Sequence, residues 1–175
     1  MKKLIATLLA LCLTFTAAAV LAETVPTFDG GVQFNMDLPQ VQELVNLPGG
    51  EKDSEYRGRT EFWELEYEKV KTSYGFVADI EYLFVGNCLV AIHYDTAHGT
   101  GYDSVKNTLA SAYGEAVPFS AAKIGNAKFA IDDDGDLKDC REMIEADGLT
   151  IILERDHDGD VDVTFIDPTA AYINN

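Results

Sequence analysis

The fold is decided by the stretch F-V-A-D-I-E-Y-L-F-V-G-N-C-L-V-A-I-H-Y at positions 76–94. Apolar side chains occupy every second position from Phe76 to Phe84, and Gly86-Asn87 supplies a two-residue hairpin turn. Beyond the turn, the apolar row continues at alternate positions: Val90, Ile92 and Tyr94. A period of two residues predicts a pair of antiparallel strands with one buried face and one wetter face.

Three further segments alternate in the same way. Upstream, Trp63, Leu65 and Tyr67 alternate with three glutamates. Downstream, two apolar rows flank a turn signal at residues 157–159, which predicts a second hairpin. These rows are Leu149, Ile151 and Leu153, followed by Val161, Val163 and Phe165.

Two segments are less regular. Glu51 to Thr60 is charged and polar, which indicates a loop. Residues 140–146 alternate weakly, and they fit either a strand or a short helix. Asp147-Gly148 then supplies a turn into the next apolar row.

Two amphipathic helices precede the strand-rich segments. Asp37 can cap the N-terminus of the first helix, with Gln40 at the N3 position completing a capping box. Residues 48–50 (P-G-G) end this helix, and Gly114 ends the second one. The apolar positions are Leu38, Val41, Leu44 and Val45 in the first helix, and Tyr102, Val105, Leu109, Ala112 and Tyr113 in the second.

A helix followed by three strands thus occurs twice, in sub-repeats at about 30–96 and 99–167. Because each amphipathic helix needs an apolar surface to cover, we expect an α+β fold. It would be a tandem α-βββ repeat, an antiparallel sheet with the helices packed on one face. The chain is long enough for a single domain, residues 30–167. We expect residues 23–29 to be a flexible leader and residues 168–175 a C-terminal tail.

The first 22 residues have the pattern of a secretory signal peptide. Lys2 and Lys3 form a basic segment, and an apolar stretch follows up to Val20. Cleavage is predicted between Ala22 and Glu23. The alternative is a retained membrane anchor, which is less favoured because the apolar run is at the short end of the range that spans a bilayer. We therefore expect a secreted or extracytoplasmic protein of the cell envelope.

The charge balance excludes some classes of partner. The chain carries 30 acidic and 13 basic side chains, a formal net charge of -17, and loss of Lys2 and Lys3 with the signal peptide makes it -19. Nucleic-acid binding needs Lys and Arg to displace counterions from phosphates, and this excess of acids opposes it. The same charge opposes an anionic membrane surface. We therefore expect no nucleic acid as partner, and no membrane after cleavage.

Two cysteines, Cys88 and Cys140, remain once Cys12 is removed with the signal peptide. An even pair in an exported chain favours a disulfide. The alternative is a pair of buried free thiols, which behave as small apolar side chains. Thiol titration of the unfolded, unreduced protein distinguishes the two states.

Two acidic segments resemble half of an EF-hand calcium loop. A turn is the better interpretation of residues 156–160, because they lie between two alternating strands. No comparable turn is indicated for residues 132–136. Neither segment has the glutamate that closes an EF-hand loop at its twelfth position. The weak candidates for calcium ligands are Asp132, Asp134 and Asp136.

Signatures of catalysis are weak. His93, His98 and His157 lack the spacing of a zinc site, so we expect structural or solvated histidines. Residues 120–123 (S-A-A-K) match the S-x-x-K core of serine enzymes that interact with penicillin, but the K-T-G-like element at residues 71–73 precedes them, in the wrong order. We therefore predict no catalytic residue and no cofactor, with a small hydrolase as a remote alternative.

A resemblance to small exported helix-plus-sheet domains is carried by residues 31–37 (G-V-Q-F-N-M-D), with Val41 and Pro48-Gly49. This pattern is similar to the G-x-x-F-G-M-T … V … G-x-P opening of the β-lactamase-inhibitor-like repeats and of outer-membrane-assembly lipoproteins of the SmpA/OmlA type. Residues 102–118 are similar to the Y…L…Y-G-x-P helix of related secreted proteins. The resemblance implies a fold of this type and a role in binding without chemistry.

We predict an exported, non-enzymatic domain that binds protein or has a structural role, with an unidentified extracytoplasmic protein as partner. The alternative is a calcium-stabilised extracellular module that uses residues 132–136.

Glu64, Glu66 and Glu68 share one strand face. This face is either solvated and protective against edge-to-edge aggregation, or an acidic recognition surface for a basic partner.

Overall fold

The computed structural model describes residues 27–57, 60–121, 138–146 and 148–169. These residues form an α+β fold with two α-helices and an eight-stranded antiparallel sheet. A 3-10 turn (Asp29–Gly31) precedes the first helix. The helices are α1 (Leu38–Val45) and α2 (Tyr102–Tyr113). The strands are β1 (Glu51–Arg57), β2 (Thr60–Lys71), β3 (Val77–Val85), β4 (Cys88–Thr96), β5 (Val117–Pro118), β6 (Lys138–Ala146), β7 (Leu149–Asp156) and β8 (Val161–Ile166).

The strands follow the order β1-β2-β3-β4-β8-β7-β6-β5 across the sheet. Strands β1 to β4 form one meander, and β5 to β8 form a second. The two meanders meet where β4 pairs with β8, with Ile92 opposite Phe165 and Tyr94 opposite Val163. The last strand of each meander therefore lies in the middle of the sheet, with both of its edges paired.

Helix α1 begins at the predicted capping box. The Asp37 carboxylate accepts a hydrogen bond from the Gln40 backbone N–H, the Gln40 side chain accepts one from the Asp37 N–H, and both bonds are 2.9 Å long. The helix ends at Val45, because Asn46 adopts a left-handed conformation with φ of 46°. The stop predicted at residues 48–50 therefore lies in the loop that follows.

Helix α2 spans the predicted segment. Tyr102, Val105 and Leu109 are buried, whereas Ala112, which has the same helical spacing, is exposed. Gly114 caps the C-terminal end with φ of 113°, a conformation that other residues rarely adopt. The period of the apolar residues thus identified the helix and most of its buried face.

The prediction of a loop at residues 51–60 is wrong for residues 51–57. These residues form β1, an edge strand that pairs with β2 along its length. Residues 51–56 are all exposed, so this strand buries neither face and has no apolar alternation to detect. Its charged side chains also oppose pairing with a strand of another chain. Within the described ranges, each helix is therefore followed by four strands instead of three, although β5 has only two residues.

Residues 140–146 lie in strand β6, which decides between the two structures that the sequence allowed for them. In the register with β7, Met143 lies opposite Ile152 and Ile144 opposite Ile151. Met143 and Ile144 point to opposite faces of the sheet, yet both are fully buried. A strand that is covered on both faces does not alternate in polarity, which explains the weak signal.

A register shift in β4 changes the predicted apolar row. Phe84 lies opposite Leu89 and Leu83 lies opposite Ala91, so Val90 is the extra residue of a bulge. The core row of β4 is therefore Leu89, Ile92 and Tyr94, where the sequence predicted Val90, Ile92 and Tyr94.

One hydrophobic cluster includes residues of both helices and of the sheet, among them Val41 and Leu109. The ring of Phe28 is 5% exposed and packs edge-to-face against Phe165, with 5.4 Å between the centroids. The core therefore begins inside the segment that the sequence assigns to the leader. Residues 23–26 of that leader lie outside the described residues.

Within the described ranges, no helix combines the length and the apolar composition that crossing a bilayer requires. Residues 1–26 lie outside these ranges, and with them the predicted signal peptide and the cleavage site between Ala22 and Glu23. The predicted tail, residues 168–175, is described only as far as Thr169.

Candidate functional site

The two faces of the sheet differ in charge. On β3, Ile80 and Tyr82 point into the hydrophobic cluster and are each 1% exposed. Asp79, Glu81 and Leu83 alternate with them and lie on the opposite face of the sheet. We call this opposite face the outer face. The antiparallel register then identifies which residues of the neighbouring strands share it.

Four carboxylates lie side by side across the outer face, and we call them the acidic row. Asp79 of β3 lies opposite Asp95 of β4. Asp95 in turn lies opposite Asp162 of β8, which lies opposite Glu154 of β7. Directly opposed residues of neighbouring strands have Cβ atoms about 4.5–5.5 Å apart. Arg141 of β6 lies opposite Glu154, so a positive charge ends the row.

A second line of acids runs parallel to the acidic row on the same face. Glu51 of β1 lies opposite Glu66 of β2, and Glu66 lies opposite Glu81 of β3. This line ends at His93, which lies opposite Glu81 and is 7% exposed. The His93 Nδ1 atom is 3.0 Å from the Thr164 hydroxyl. His93 is therefore a buried, hydrogen-bonded side chain at the centre of the sheet.

Two of the three glutamates predicted to share a strand face lie on the outer face. Glu64 and Glu66 are in register with β3. Glu68 falls in a bulge of β2, next to Lys69, whose φ is 54°. The Lys69 N–H donates a hydrogen bond to the Asp79 carboxylate. The bulge thus connects β2 to the acidic row.

Crowding by like charges changes the acidity of Asp95. Loss of hydration, followed by repulsion from Asp162 and Asp79, raises the pKa of Asp95 from 3.8 to about 6. Asp160 and Asp156 contribute in the same direction. Because Asp95 is exposed, its carboxyl exchanges protons directly with solvent near neutral pH.

Glu66 is affected in the same direction. Loss of hydration raises the pKa of Glu66, and repulsion from Asp79, Glu51 and Glu68 adds to it. Asp95 and Glu66 therefore hold their negative charge against repulsion from neighbouring carboxylates. A cation placed on the outer face would relieve this repulsion and stabilise the ionised carboxylates.

The β7 end of the acidic row is neutralised within the protein. Glu154 is 1% exposed, and its carboxylate accepts a hydrogen bond from the Arg141 guanidinium. That guanidinium lies over the Phe119 ring, with its central carbon 5.1 Å from the centroid. The negative charge of Glu154 is therefore compensated by Arg141.

A second ion pair joins α2 to β6. Lys106 Nζ lies 2.6 Å from a Glu142 carboxylate oxygen, which also accepts a hydrogen bond of 2.8 Å from the Tyr102 hydroxyl. The hydrogen bond from Lys106 lowers the pKa of Glu142. Cys140 donates from its thiol to the Tyr102 hydroxyl over 3.4 Å. This network fixes the position of α2 and leaves Glu142 ionised.

The predicted histidines are not brought together. His98 Nδ1 lies 2.7 Å from Asp160, and His157 Nε2 lies 3.3 Å from its neighbour Asp158. Among the residues that the structure describes, no three His, Cys, Asp or Glu side chains form a group that could hold a metal ion. The three predicted calcium ligands lie outside those residues, namely Asp132, Asp134 and Asp136.

The hairpin predicted at residues 156–160 is confirmed. It connects β7 to β8, and the Asp156 carboxylate accepts a hydrogen bond of 2.9 Å from the Asp160 N–H. Gly159 has φ of 92°, which explains why glycine occupies this position. The Asp156 side chain is therefore part of the turn itself.

Cys88 and Cys140 are both free thiols. Cys88 is exposed at the start of β4, whereas Cys140 is half-buried on β6. Strands β8 and β7 lie between them, so the cysteines are three inter-strand spacings of about 4.8 Å apart across the sheet. A disulfide needs Cα atoms within about 7 Å of each other. The predicted bond would therefore require the sheet to rearrange.

The elements that suggested a serine hydrolase are not assembled into a described site. The Thr72 hydroxyl of the K-T-G-like element is buried and donates a hydrogen bond of 2.9 Å to the Phe76 carbonyl. It therefore stabilises the turn between β2 and β3. Ser120 is half-buried after β5, and Lys123 lies outside the described residues.

Sequence reasoning missed the acidic row because its members are far apart in the chain. Each acid occupies the polar position of an alternating strand, and that signal was visible. The order of the strands, which places these acids side by side, was not visible in the sequence.

Comparisons of the chain with protein-family models, with curated proteins and with solved structures found no match.

Proposed function

We propose that the protein is an exported, non-enzymatic binding domain whose outer face binds a basic segment of an extracytoplasmic protein. One observation carries this proposal: acids of neighbouring strands lie side by side, with Asp79, Asp95 and Asp162 in consecutive register. Like charges at opposed positions cost stability. A basic partner would relieve the repulsion between these carboxylates when it binds. The negative electrostatic field of the outer face would also accelerate the encounter with such a partner at low salt.

The raised pKa of Asp95 also supports a remote alternative, a small hydrolase that uses this carboxyl as general acid. Asp95 is, however, exposed on a strand. General acids typically work in clefts that exclude water. Binding is therefore the better interpretation of this perturbed carboxyl.

We further infer that both helices cover the face opposite to the acidic row. Val41 of α1 and Val105 of α2 belong to the same buried cluster as Ile80 and Tyr82, which point away from the outer face. The two meanders, each preceded by a helix, support a tandem repeat with one more strand per unit than predicted. Such a repeat would agree with the resemblance to β-lactamase-inhibitor-like domains, which implies binding without chemistry.

The test compares two variants of equal charge. The outer-face variant carries Glu51→Gln, Glu66→Gln and Asp95→Asn. The control variant carries the same three types of change at exposed residues in and next to the helices, namely Glu43→Gln, Glu115→Gln and Asp103→Asn. An oligolysine peptide is the first probe, and envelope and culture-medium proteins captured on the exported protein are the second.

We expect the outer-face variant to bind the peptide and the captured proteins more weakly than the control variant does, with the largest difference at low salt. An equal loss in both variants would mean that net charge alone attracts cations. Retention of binding by the outer-face variant would place the interaction elsewhere. Either result rejects the proposed surface.

The calcium-stabilised module remains a second candidate for residues 132–136, supported by their sequence alone. Thermal melts of the exported protein with calcium and with chelator test it. A higher midpoint in calcium that is lost with Asp132→Asn and Asp134→Asn would favour this function. An unchanged midpoint rules it out.

Export itself is tested by the mass of the secreted protein, which we expect to begin at Glu23.

A further inference from the structure

Strand β1 presents one side of its backbone to solvent. In the order of the described strands it is the outermost, and it pairs with β2 on one side. We call its other side the open edge. Alternate residues of an antiparallel strand direct their N–H and C=O groups to opposite sides. The backbone hydrogen bonds of β2 identify the residues of β1 that direct these groups to the open edge.

Three residues of β1 direct their backbone groups outward. The Gly86 N–H donates a hydrogen bond of 2.8 Å to the Glu61 carbonyl, so Glu61 directs its backbone groups towards β3. Glu61 lies opposite Tyr56 of β1, and these two residues therefore do not exchange backbone hydrogen bonds. Tyr56 directs its N–H and C=O to the open edge, and by alternation Ser54 and Lys52 do the same.

A local hydrogen bond agrees with this assignment. The Ser54 N–H donates to the Asp53 carboxylate over 2.7 Å, so its acceptor is the side chain of its own neighbour. All seven residues of β1 are in register with β2, so the outward-facing groups form a regular row. Such a row is a template for a further strand, the mode of peptide recognition known as β-strand addition.

The outer-face side chains of β1 select the charge of an added strand. Glu51 and Asp53 lie opposite Glu66 and Glu64 of the outer face, and Glu55 follows at the next alternate position. Alternate side chains of a strand paired with β1 stand directly opposite these three acids. Acidic side chains are repelled there, as they would be in a second copy of β1, whereas lysine and arginine are attracted.

The inner side of β1, opposite to the outer face, borders an apolar cavity of about 270 Å³. Lys52 belongs to this side, because it lies opposite Leu65 of the hydrophobic cluster. Trp63 is half-buried, so part of its indole is accessible, and its partner on β1 is Ser54, whose short side chain leaves space beside the indole. The cavity is lined by Leu38, Lys52, Trp63, Phe84, Gly86 and Asn87.

We propose that a basic segment of the partner protein adds to the sheet as a strand antiparallel to β1. Its lysine or arginine residues, at alternate positions, lie opposite Glu51, Asp53 and Glu55. The apolar side chain opposite Ser54 packs against Trp63. Antiparallel pairing continues the pattern of the sheet. The inference rests on the proposed function, because it assigns a conformation and a docking edge to the basic segment.

The test uses heptapeptides with blocked ends and the unaltered protein at physiological ionic strength, where attraction between exposed charges is largely screened. The probe is T-V-K-F-K-V-K, which in antiparallel register places its lysines opposite the three acids and its phenylalanine opposite Ser54. A peptide of the same composition, K-K-K-F-V-V-T, is the control for net charge. We expect the alternating peptide to bind about tenfold or more tightly, because only its lysines match the acids.

Methylation of the peptide backbone separates strand pairing from attraction between side chains. Methyl groups on the nitrogens of the phenylalanine and both valines remove the N–H groups that face β1. We expect this peptide not to bind. Methyl groups on the three lysine nitrogens, which face away from β1, should preserve binding. The two methylated peptides have equal charge and an equal number of methyl groups, so they differ only in the side of the backbone that is blocked.

Two measurements on the protein locate the added strand. The alternating peptide should slow amide hydrogen exchange at Lys52, Ser54 and Tyr56, because their N–H groups face the open edge. Ser54→Pro removes one of these N–H groups without a change of charge, and an edge strand tolerates proline at such a position. We expect it to weaken binding about tenfold, whereas Ser54→Ala, which keeps the N–H, should not. If Ser54→Pro does not fold, the methylated peptides still decide the question.

Four results would overturn the inference. Equal affinity for the alternating and the control peptide would mean that charge alone attracts them. Equal affinity for the two methylated peptides, or unchanged hydrogen exchange on β1, would place the segment on the outer face without strand pairing. Binding of oligolysine without binding of the alternating peptide would reject the added strand and leave the proposed surface standing. Absence of binding by both would reject both proposals.

Discussion

Asp95 and Asp162 lie directly opposite each other on β4 and β8, the strand pair at which the two meanders join. Opposed like charges destabilise a strand pair, and here they do so at the centre of the sheet. Local conflicts of this kind are expected at functional sites, where a binding requirement outweighs stability.

The first prediction concerns stability and pH. The folded protein holds the proton of Asp95 up to about pH 6, because desolvation and repulsion raise its pKa from 3.8. The unfavourable contribution of Asp95 is therefore absent below about pH 4, grows as the pH rises to 6 and is constant above that. We expect Asp95→Asn to raise the melting temperature at pH 7.5 by about 1–3 °C, a value reduced for solvent screening at this exposed site.

Thermal denaturation at pH 7.5 and at pH 4 measures this effect. The gain from Asp95→Asn should disappear at pH 4, where Asp95 is already neutral. Asp158→Asn serves as the control, since its position in an exposed turn tolerates asparagine. An equal gain at both pH values would mean that the carboxyl is not perturbed in the folded state.

The second prediction concerns binding. Protonation of Asp95 removes one negative charge from the middle of the acidic row. We therefore expect the affinity for an oligolysine peptide to fall as the pH is lowered from 7.5 to 5, because lysine stays charged over this range. In Asp95→Asn the affinity should be lower at pH 7.5 and should change less with pH. Titration calorimetry of both proteins measures this, and an identical pH profile in the variant would contradict the role of Asp95.

Local signals in the sequence predicted those elements whose formation depends on neighbouring residues. The Asp37–Gln40 capping box and the Gly159 turn each involve residues a few positions apart, so their chemistry is visible in a short window. The alternation from Phe76 to Phe84 likewise predicted a strand with one buried face. These features follow from side-chain type and spacing alone.

The features that were missed depend on residues distant in the chain. Strand β1 shows no alternation because it lies at an exposed edge, and the bulge at Val90 depends on its pairing with β3. The acidic row joins Asp79 and Asp162 through β4, so it exists only once the strand order is known. No window of the sequence contains that information.

The third prediction tests the N-terminal cap of α1. Asp37→Ala removes the acceptor for the Gln40 N–H, a hydrogen bond of 2.9 Å. We expect the free energy of unfolding to fall by about 1 kcal/mol, which corresponds to about 2–4 °C in melting temperature for a chain of this size. Glu43→Ala, an equal loss of charge at an exposed position of the same helix, is the control. Equal effects in the two variants would show that the cap contributes nothing.

The fourth prediction concerns the ion pair at the end of the acidic row. Arg141→Met removes the guanidinium that donates to Glu154, whose carboxylate is 1% exposed. We expect a loss of about 3 kcal/mol in the free energy of unfolding, because a buried charge loses its counter-charge. The double variant Arg141→Met with Glu154→Leu should recover at least half of this loss, since neither charge is then buried. Urea denaturation of the three proteins measures it, and additive losses would contradict a coupled pair.

The fifth prediction distinguishes the free thiols of the structure from the disulfide that the sequence favours. Cys88 is exposed at the start of β4, whereas Cys140 is half-buried and donates to the Tyr102 hydroxyl. In the native protein we expect Cys88 to react rapidly with a thiol reagent and Cys140 to react slowly, because reaction requires access to the thiolate. After unfolding without reductant, both should react at the same rate. Cys88→Ser should remove only the fast phase. An absence of reactive thiols in the unfolded, unreduced protein would instead establish the disulfide, and with it a sheet in which β4 and β6 lie closer together.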